Sequence, residues 1–181
     1  MAGVSAEILG RLVGLVVLGI LTVLVLANGI ALPSGVILNF LHLIDLVFHE
    51  AGHVIFGFFG RFIAVAGGSL NQVLIPVVCT GVFLARREFG SAAVTLFWTG
   101  QNLADVAVYV ADGRAMALPL LGDGLIHDWN YILGTLGLLH AAEPLGRLTF
   151  GLGALTMLAA LALSAWDAWT RVLSSETRDC L

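Results

Sequence analysis

The chain has 181 residues, of which 59% are hydrophobic and 11% are charged, and its formal net charge at pH 7 is −4. Soluble domains contain about 25% charged residues, so this composition excludes an ordinary soluble protein. The chain has no lysine and no basic tract, which excludes a nucleic-acid-binding role. We expect one integral membrane domain over residues 1–181, in contact with the lipid bilayer.

Five apolar segments are long enough, or nearly so, to cross a bilayer as α-helices, which need about 20 residues. These segments are residues 8–27, 36–59, 70–85, 90–111 and 147–170. The apolar run from Leu12 to Ala27 is longer than the core of a typical signal peptide, so we predict a retained membrane helix. Pro76 inside the third segment is tolerable as a kink. The fold is therefore predicted to be all-α, a polytopic bundle of transmembrane helices.

Small residues predict a turn immediately before the third segment. Gly67, Gly68 and Ser69 form this signal, and Asn71 and Gln72 then fall in a glycine-rich turn. There the two amides could contact an extended substrate strand, although a role in the turn itself fits equally well.

The stretch between the fourth and fifth segments is too polar and too broken by glycine and proline to cross a membrane. Residues 112–128 are predicted to form a surface or re-entrant loop, and residues 129–139 a short interfacial helix. Trp166 and Trp169 are typical of interface anchors near the end of the last helix. The arginines divide four and four between the two predicted sides, so they do not predict the orientation.

The second segment contains the pattern His-Glu-x-x-His. His49 and His53 lie four residues apart, so on a helix both can direct a ring nitrogen at one metal ion. Glu50 lies at the edge of that face, where it can take a proton from a metal-bound water. Zn²⁺ fits this pattern because two imidazoles and a third ligand leave one position open for water. Ionisable groups are costly in a membrane, so the pattern predicts a zinc site with Glu50 as general base.

Four residues are candidates for the third zinc ligand, namely Asp105, Asp112, His127 and Asp128. Asp105 shares a polar stripe with Gln101 and Asn102 on the fourth segment, and such groups must face protein or water rather than lipid. His127 and Asp128 follow a glycine-rich loop that could swing over the two histidines. Two alternatives stay open: a buried polar network that only locks helix packing, and an N-cap role for Asp128.

Further polar residues are candidates for supporting the ligands or contacting substrate. Asp45 lies one turn before His49 and could accept its spare N–H, which would fix the tautomer of the ring. The alternative is that Asp45 and His42 hydrogen-bond to neighbouring helices. His42 is about 10 Å along the helix axis from His49, too far to share its metal. Asn102, and Gln101 beside it, could hold a substrate carbonyl or peptide backbone.

The His49-Glu50-x-x-His53 pattern in a membrane helix, followed by Asn102 and Asp112-Gly113, resembles the site-2 protease family of intramembrane zinc metalloproteases. The similarity is greatest to small bacterial, M50-type members and covers about residues 36–128. It implies a core of three helices, the first carrying His-Glu-x-x-His and the third an aspartate ligand in an Asn-x-x-Pro…Asp-Gly motif. Asp112 matches that aspartate by pattern, but the prolines are missing here and the spacing is longer.

The resemblance implies zinc-dependent hydrolysis of a peptide bond in or near a transmembrane segment of another protein, in the bacterial inner (cytoplasmic) membrane. Such an enzyme would work alone, as a homo-oligomer or with a partner membrane subunit. One alternative is a non-proteolytic membrane subunit with a structural metal site, because no separate substrate-recognition domain is evident. Another is a metal-dependent hydrolase of a lipid-like molecule, which would need an apolar pocket.

Overall fold

The computed structural model describes residues 6–120, 122 and 126–179, with side chains as far as residue 173. These residues form six α-helices and no strand, which confirms the predicted all-α class. The helices are α1 Ala6–Asn28, α2 Gly35–Phe56, α3 Arg61–Ala85, α4 Phe89–Asp112, α5 Asp128–Thr135 and α6 Ala142–Asp179. Single 3₁₀ turns, Gly57–Phe59 and Leu139–Ala141, follow α2 and precede α6.

Within the described residues, four helical stretches rather than five are long and apolar enough to cross a membrane. They are Ala6–Asn28, Gly35–Phe59, Arg61–Ala85 and Leu139–Leu173. The remaining predicted segment, 90–111, corresponds to α4, which has 24 residues but more polar side chains. Gln101, Asn102 and Asp105 are all buried in the protein. Helix α4 is therefore the central helix of the bundle, screened by its neighbours rather than exposed along its length to lipid.

Close contact between α4 and α6 forms the centre of this bundle. A Cβ atom on Gly100 would lie 2.7 Å from the carbonyl oxygen of Gly153, and one on Gly153 would lie 2.6 Å from the carbonyl oxygen of Gly100. Only residues without a side chain permit this approach of the two backbones. Phe97 and Met157 pack in the adjoining apolar core.

Helix α3 begins at Arg61, so the turn predicted before residue 70 is wrong. Gly67 and Gly68 are helical, and the chain turns instead at Gly60, whose φ is 91°. A side chain on Gly52 of α2 would collide with the carbonyl oxygen of Gly67. These glycines therefore bring α2 and α3 together, as small residues do in membrane bundles, instead of ending a helix. Gln72, expected in the turn, lies on α3.

The predicted loop and short helix between α4 and α6 are present, with different ends. Helix α5 begins at Asp128 and ends at Thr135, whereas the prediction was residues 129–139. Residues 113–120, 122, 126 and 127 are irregular or in turns, and the rest of the predicted loop, 121 and 123–125, lies outside the described residues. The position of α5 against α3 and α4 is what shapes the candidate site.

Candidate metal centre

Helix α2 presents its two motif histidines side by side in the interior of the bundle. The ring centroids of His49 and His53 are 4.8 Å apart and the rings meet edge to face. One potential ligand atom each from His49, Glu50 and His53 lie within 4.8 Å of one another. The one-turn spacing thus produces the shared face that the sequence predicts.

Helix α3 fixes the orientation of both imidazoles from behind. His53 Nδ1 donates to the carbonyl oxygen of Ala64 at 2.9 Å. His49 Nδ1 lies 3.1 Å from Gln72 Oε1, an amide oxygen that can only accept. Because each Nδ1 carries the hydrogen, the Nε2 atom of each neutral ring carries a lone pair. Both lone pairs therefore point away from Ala64 and Gln72, where they are available to a ligand.

Asp128, the first residue of α5, lies directly opposite these Nε2 atoms. Its Oδ2 atom is 2.9 Å from His49 Nε2 and 3.1 Å from His53 Nε2. Burial raises the pKa of the Asp128 carboxyl, but its contacts with the two imidazoles lower it by more, so the pKa lies below its usual range. The group is therefore a carboxylate at neutral pH, which accepts from the two rings when they are protonated and can share a cation with them when they are neutral.

The residues on either side of Asp128 dock α5 onto two different helices. Trp129 Nε1 donates to Ser69 Oγ on α3 at 3.0 Å. Asn130 Nδ2 donates to the carbonyl oxygen of Gly113, just beyond α4, at 2.8 Å. These two bonds hold the start of a helix of only 8 residues against the motif face.

Gly68 keeps the space beside the two histidines open. A Cβ atom at this position would lie 2.6 Å from His49 Nε2 and 2.7 Å from His53 Nε2. Both distances are too short for a side chain to be accommodated without moving the rings. Only glycine at position 68 therefore allows the backbone of α3 to lie this close to the two Nε2 atoms.

The donor atoms that converge here fit zinc. Two imidazole nitrogens and one carboxylate oxygen are zinc ligands, with bonds of about 2.0–2.2 Å that place ligand atoms roughly 3.3 Å apart in a tetrahedron. The distances of 2.9 and 3.1 Å from Asp128 Oδ2 to the two nitrogens are close to that spacing. His49, His53 and Asp128 could thus hold one zinc ion.

Asp105, another candidate ligand, belongs to a network behind the site. Its Oδ1 atom is 2.8 Å from His42 Nδ1, and its Oδ2 atom accepts from Gln72 Nε2 at 2.9 Å. His42 Nε2 in turn lies 3.3 Å from the hydroxyl of Tyr109. The carboxylate therefore reaches the motif through Gln72 and does not face the Nε2 atoms. His42 fits the alternative prediction, a hydrogen bond to a neighbouring helix.

Asp112, the last residue of α4, bonds to the loop that follows it, and His127 lies in that loop. Asp112 accepts from the backbone N–H groups of Ala117 and Leu118, at 2.9 and 3.1 Å. His127 Nδ1 is 3.9 Å from Asp112 Oδ2, and His127, not Asp128, is the N-cap residue of α5. Of the four candidates for a third ligand, Asp128 is thus the one placed against both imidazoles.

Asp45 does not support His49, contrary to the prediction. It is 1% exposed and accepts from Trp98 Nε1 at 2.9 Å and from Gln101 Nε2 at 2.7 Å, both on α4. Positions four apart on a helix differ by about 40° in direction, which is enough for Asp45 to face α4 while His49 faces α3. Gln72 occupies the supporting position instead.

The predicted substrate contact by Asn102 is also wrong. Asn102 is 0% exposed, and its Nδ2 atom donates to the backbone carbonyl of Trp98 at 2.9 Å. Gln101 Nε2 donates to Asp45 Oδ2. Gln101 and Asp105 of the α4 stripe bond to residues of α2 and α3, which fits the alternative of a buried network that locks helix packing.

A cavity of about 510 Å³ lies along α2 and reaches the metal centre. His42, two turns from His49, also lines it, so the cavity extends about 10 Å along the helix. Glu50 is exposed to this space. Much of the remaining wall is apolar and includes Leu32, Leu46, Leu118, Pro119, Leu120 and Ile126.

Sequence reasoning missed the contribution of α3 to the site. The carbonyl of Ala64, the absent side chain of Gly68 and the amide of Gln72 all act on the histidines. The four-residue spacing of Ala64 and Gly68 is a signal for close helix packing and could have suggested that α3 lies against the motif.

Comparisons of the chain with protein-family models, with curated proteins and with solved structures found no match. The resemblance to the site-2 protease family therefore stays a prediction based on the motif residues.

Proposed function

We propose that this chain is an intramembrane zinc metalloprotease that hydrolyses a peptide bond in or near a transmembrane segment of another protein. One observation carries the proposal: Asp128 Oδ2 lies 2.9 Å from His49 Nε2 and 3.1 Å from His53 Nε2. The hydrogens of both rings are used on the opposite side. Lone pairs that face one another at this distance repel unless a cation or added protons lie between them. A divalent metal ion would bind all three atoms, namely the Nε2 atoms of His49 and His53 and the Oδ2 atom of Asp128.

The residues around this centre have the chemistry that hydrolysis needs. When bound, zinc polarises a carbonyl group and lowers the pKa of water towards about 7. The Glu50 carboxylate, exposed to the cavity, accepts a proton from the attacking water and returns it to the nitrogen of the leaving amine. His49 and His53 stay oriented because Gln72 and Ala64 accept their Nδ1 hydrogens, which directs each Nε2 atom at the position of the metal.

The surroundings favour a membrane-embedded peptide as substrate. Helices long and apolar enough to cross a membrane carry the motif, and the apolar cavity beside it can receive apolar side chains. Polar groups on the same wall, His42 and Tyr109 among them, give water a route to the centre. By the resemblance, the membrane would be the bacterial inner membrane. A second copy of the chain or a partner membrane subunit would contribute to substrate recognition.

A second candidate is a zinc-dependent hydrolase of a lipid-like molecule. The cavity of about 510 Å³ favours it, because small-molecule sites are mostly apolar and span about 300–1,000 Å³. Parallel assays with a transmembrane peptide library and with esters or amides of long-chain lipids would separate the two substrates.

The decisive experiment compares Glu50→Gln with the wild type and with Glu143→Gln, a control on an exposed glutamate of α6. We expect about one zinc per chain in all three proteins, measured by mass spectrometry after purification. Cleavage of transmembrane peptides should be lost in Glu50→Gln, by roughly 100-fold or more, because proton transfer by a side chain contributes about 10²–10⁴-fold. Full cleavage by Glu50→Gln, or a wild type without zinc, would refute the proposal.

A further inference from the structure

We infer that Gln72 is a positioning residue of the metal centre and that Asp105 holds its amide in the orientation that His49 requires. The inference rests on one part of the proposed function, namely that His49 is a zinc ligand. Gln72 Oε1 lies 3.1 Å from His49 Nδ1, and Gln72 Nε2 donates to Asp105 Oδ2 at 2.9 Å. A chain of three side chains thus connects α4 through α3 to the motif on α2.

Asp105 determines which end of the amide faces the histidine. An amide has an oxygen that accepts and an NH₂ group that donates, whereas an ionised carboxylate only accepts. If the Gln72 amide were turned over, its oxygen would face the carboxylate and its NH₂ group would face His49 Nδ1. The carboxylate therefore selects the arrangement in which Gln72 accepts from His49, and Nε2 of His49 keeps its lone pair for a metal ion.

The two histidines depend on different kinds of support. His53 Nδ1 donates to the backbone carbonyl of Ala64, which a side-chain substitution does not remove. His49 depends on Gln72, whose side chain is 2% exposed, so water does not readily replace it. Loss of Gln72 should therefore loosen one ligand of the metal and leave the other in place. Substitutions of this kind lower metal affinity roughly 10–100-fold.

The chain itself provides a matched control for this effect. Gln101 is 5% exposed and donates to Asp45 at 2.7 Å, so it forms a second buried amide–carboxylate pair between helices. After loss of the amide, each carboxylate would keep one partner, His42 for Asp105 and Trp98 for Asp45. Substitution of either glutamine removes the same kind of bond, but only Gln72 contacts a motif histidine.

The experiment measures zinc affinity by chelator competition and the visible absorption of the Co²⁺-substituted protein, using the full chain in lipid nanodiscs. We expect Gln72→Met to bind zinc roughly 10–100-fold more weakly and to shift the Co²⁺ spectrum. Gln101→Met should keep the wild-type spectrum and an affinity within about threefold of wild type. Gln72→Glu should restore most of the affinity, because its carboxyl oxygen can accept from His49 while the other oxygen shares a proton with Asp105.

The outcomes separate this inference from the proposed function. A wild type that binds no zinc would overturn both. A wild type that binds zinc, together with an unchanged Gln72→Met, would overturn the inference alone. Equal weakening in Gln72→Met and Gln101→Met would show a general loss of packing and would also overturn it. If Gln72→Met does not fold, Asp105→Leu tests the same point, because Gln72 then loses the acceptor that orients it, and unchanged zinc affinity would count against the inference.

Discussion

Two faces of α2 carry polar side chains into the interior of the bundle, and they differ in how their hydrogen-bonding atoms are used. On the face towards α4, Asp45 accepts from the indole of Trp98 and the amide of Gln101. Donors of α4 meet an acceptor of α2 there, while the side-chain oxygens of Gln101 and Asn102 have no hydrogen-bond partner among the described residues. The bonds to Asp45 hold α2 and α4 together.

The face towards α3 and α5 differs, because two imidazoles there share one carboxylate oxygen. His49 and His53 donate their Nδ1 hydrogens to acceptors on α3, and their Nε2 atoms face the carboxylate of Asp128. When both rings are neutral, acceptors meet an acceptor there, and added protons or a cation must lie between them. The contrast teaches that buried polar residues in a membrane bundle do not by themselves indicate function. Two imidazoles whose Nδ1 atoms bond elsewhere and whose Nε2 atoms share one carboxylate oxygen are the arrangement on which the proposed cation site rests.

The largest effect is expected for Asp128→Ala, which removes the acceptor opposite both rings. Loss of a supporting residue weakens metal binding roughly 10–100-fold, so loss of a ligand should weaken zinc binding by more than that and abolish cleavage. Zinc content after dialysis, measured beside Asp112→Ala and His127→Ala, checks this. Both controls should retain zinc because their side chains face the loop. Zinc retained by Asp128→Ala but lost from either control would assign the third ligand to the residue replaced in that control.

The next largest effect on zinc binding is expected for Gly68→Ala. The new methyl group would lie 2.6 Å from His49 Nε2 and 2.7 Å from His53 Nε2. The rings cannot move aside without breaking their Nδ1 bonds to α3, so zinc should be bound roughly 10–100-fold more weakly, as when a ligand loses its support. Gly81→Ala is the matched control, since a Cβ at Gly81 of the same helix meets nothing within 4 Å. Equal zinc affinity in the two variants would contradict this account of Gly68.

The local part of the site follows from the sequence, and its long-range part does not. Helical spacing alone places His49 and His53 on one face, because that relation involves a single turn. Asp128 was one of four candidates, since its position depends on where α5 docks. Trp129 and Asn130 determine that docking through single hydrogen bonds that have no sequence pattern of their own.

The prediction for the third helix failed for a different reason. Glycine indicates turns in soluble proteins, whereas Gly67 and Gly68 lie within α3 and permit its contact with α2. A third helix that begins at residue 70 excludes Ala64 and Gly68, so the prediction left no partners for the motif histidines in the first turns of α3. The all-α class survived this error because it depends on apolar content and length, not on where each helix begins.

The smallest effect on zinc is expected for Asp45→Asn, and it separates the two faces of α2 most directly. A helical wheel indicates that residues four apart are neighbours, which predicted Asp45 as the partner of His49. The structure places Asp45 against α4, so the substitution should leave zinc affinity within about threefold of wild type. It should lower the free energy of unfolding by about 1 kcal/mol, because the asparagine NH₂ group would face the donor of Trp98 or Gln101. Thermal unfolding in detergent and chelator competition on the same sample measure both quantities. A loss of zinc affinity as large as that expected for Gln72→Met, without loss of stability, would mean that the α4 face supports the metal after all.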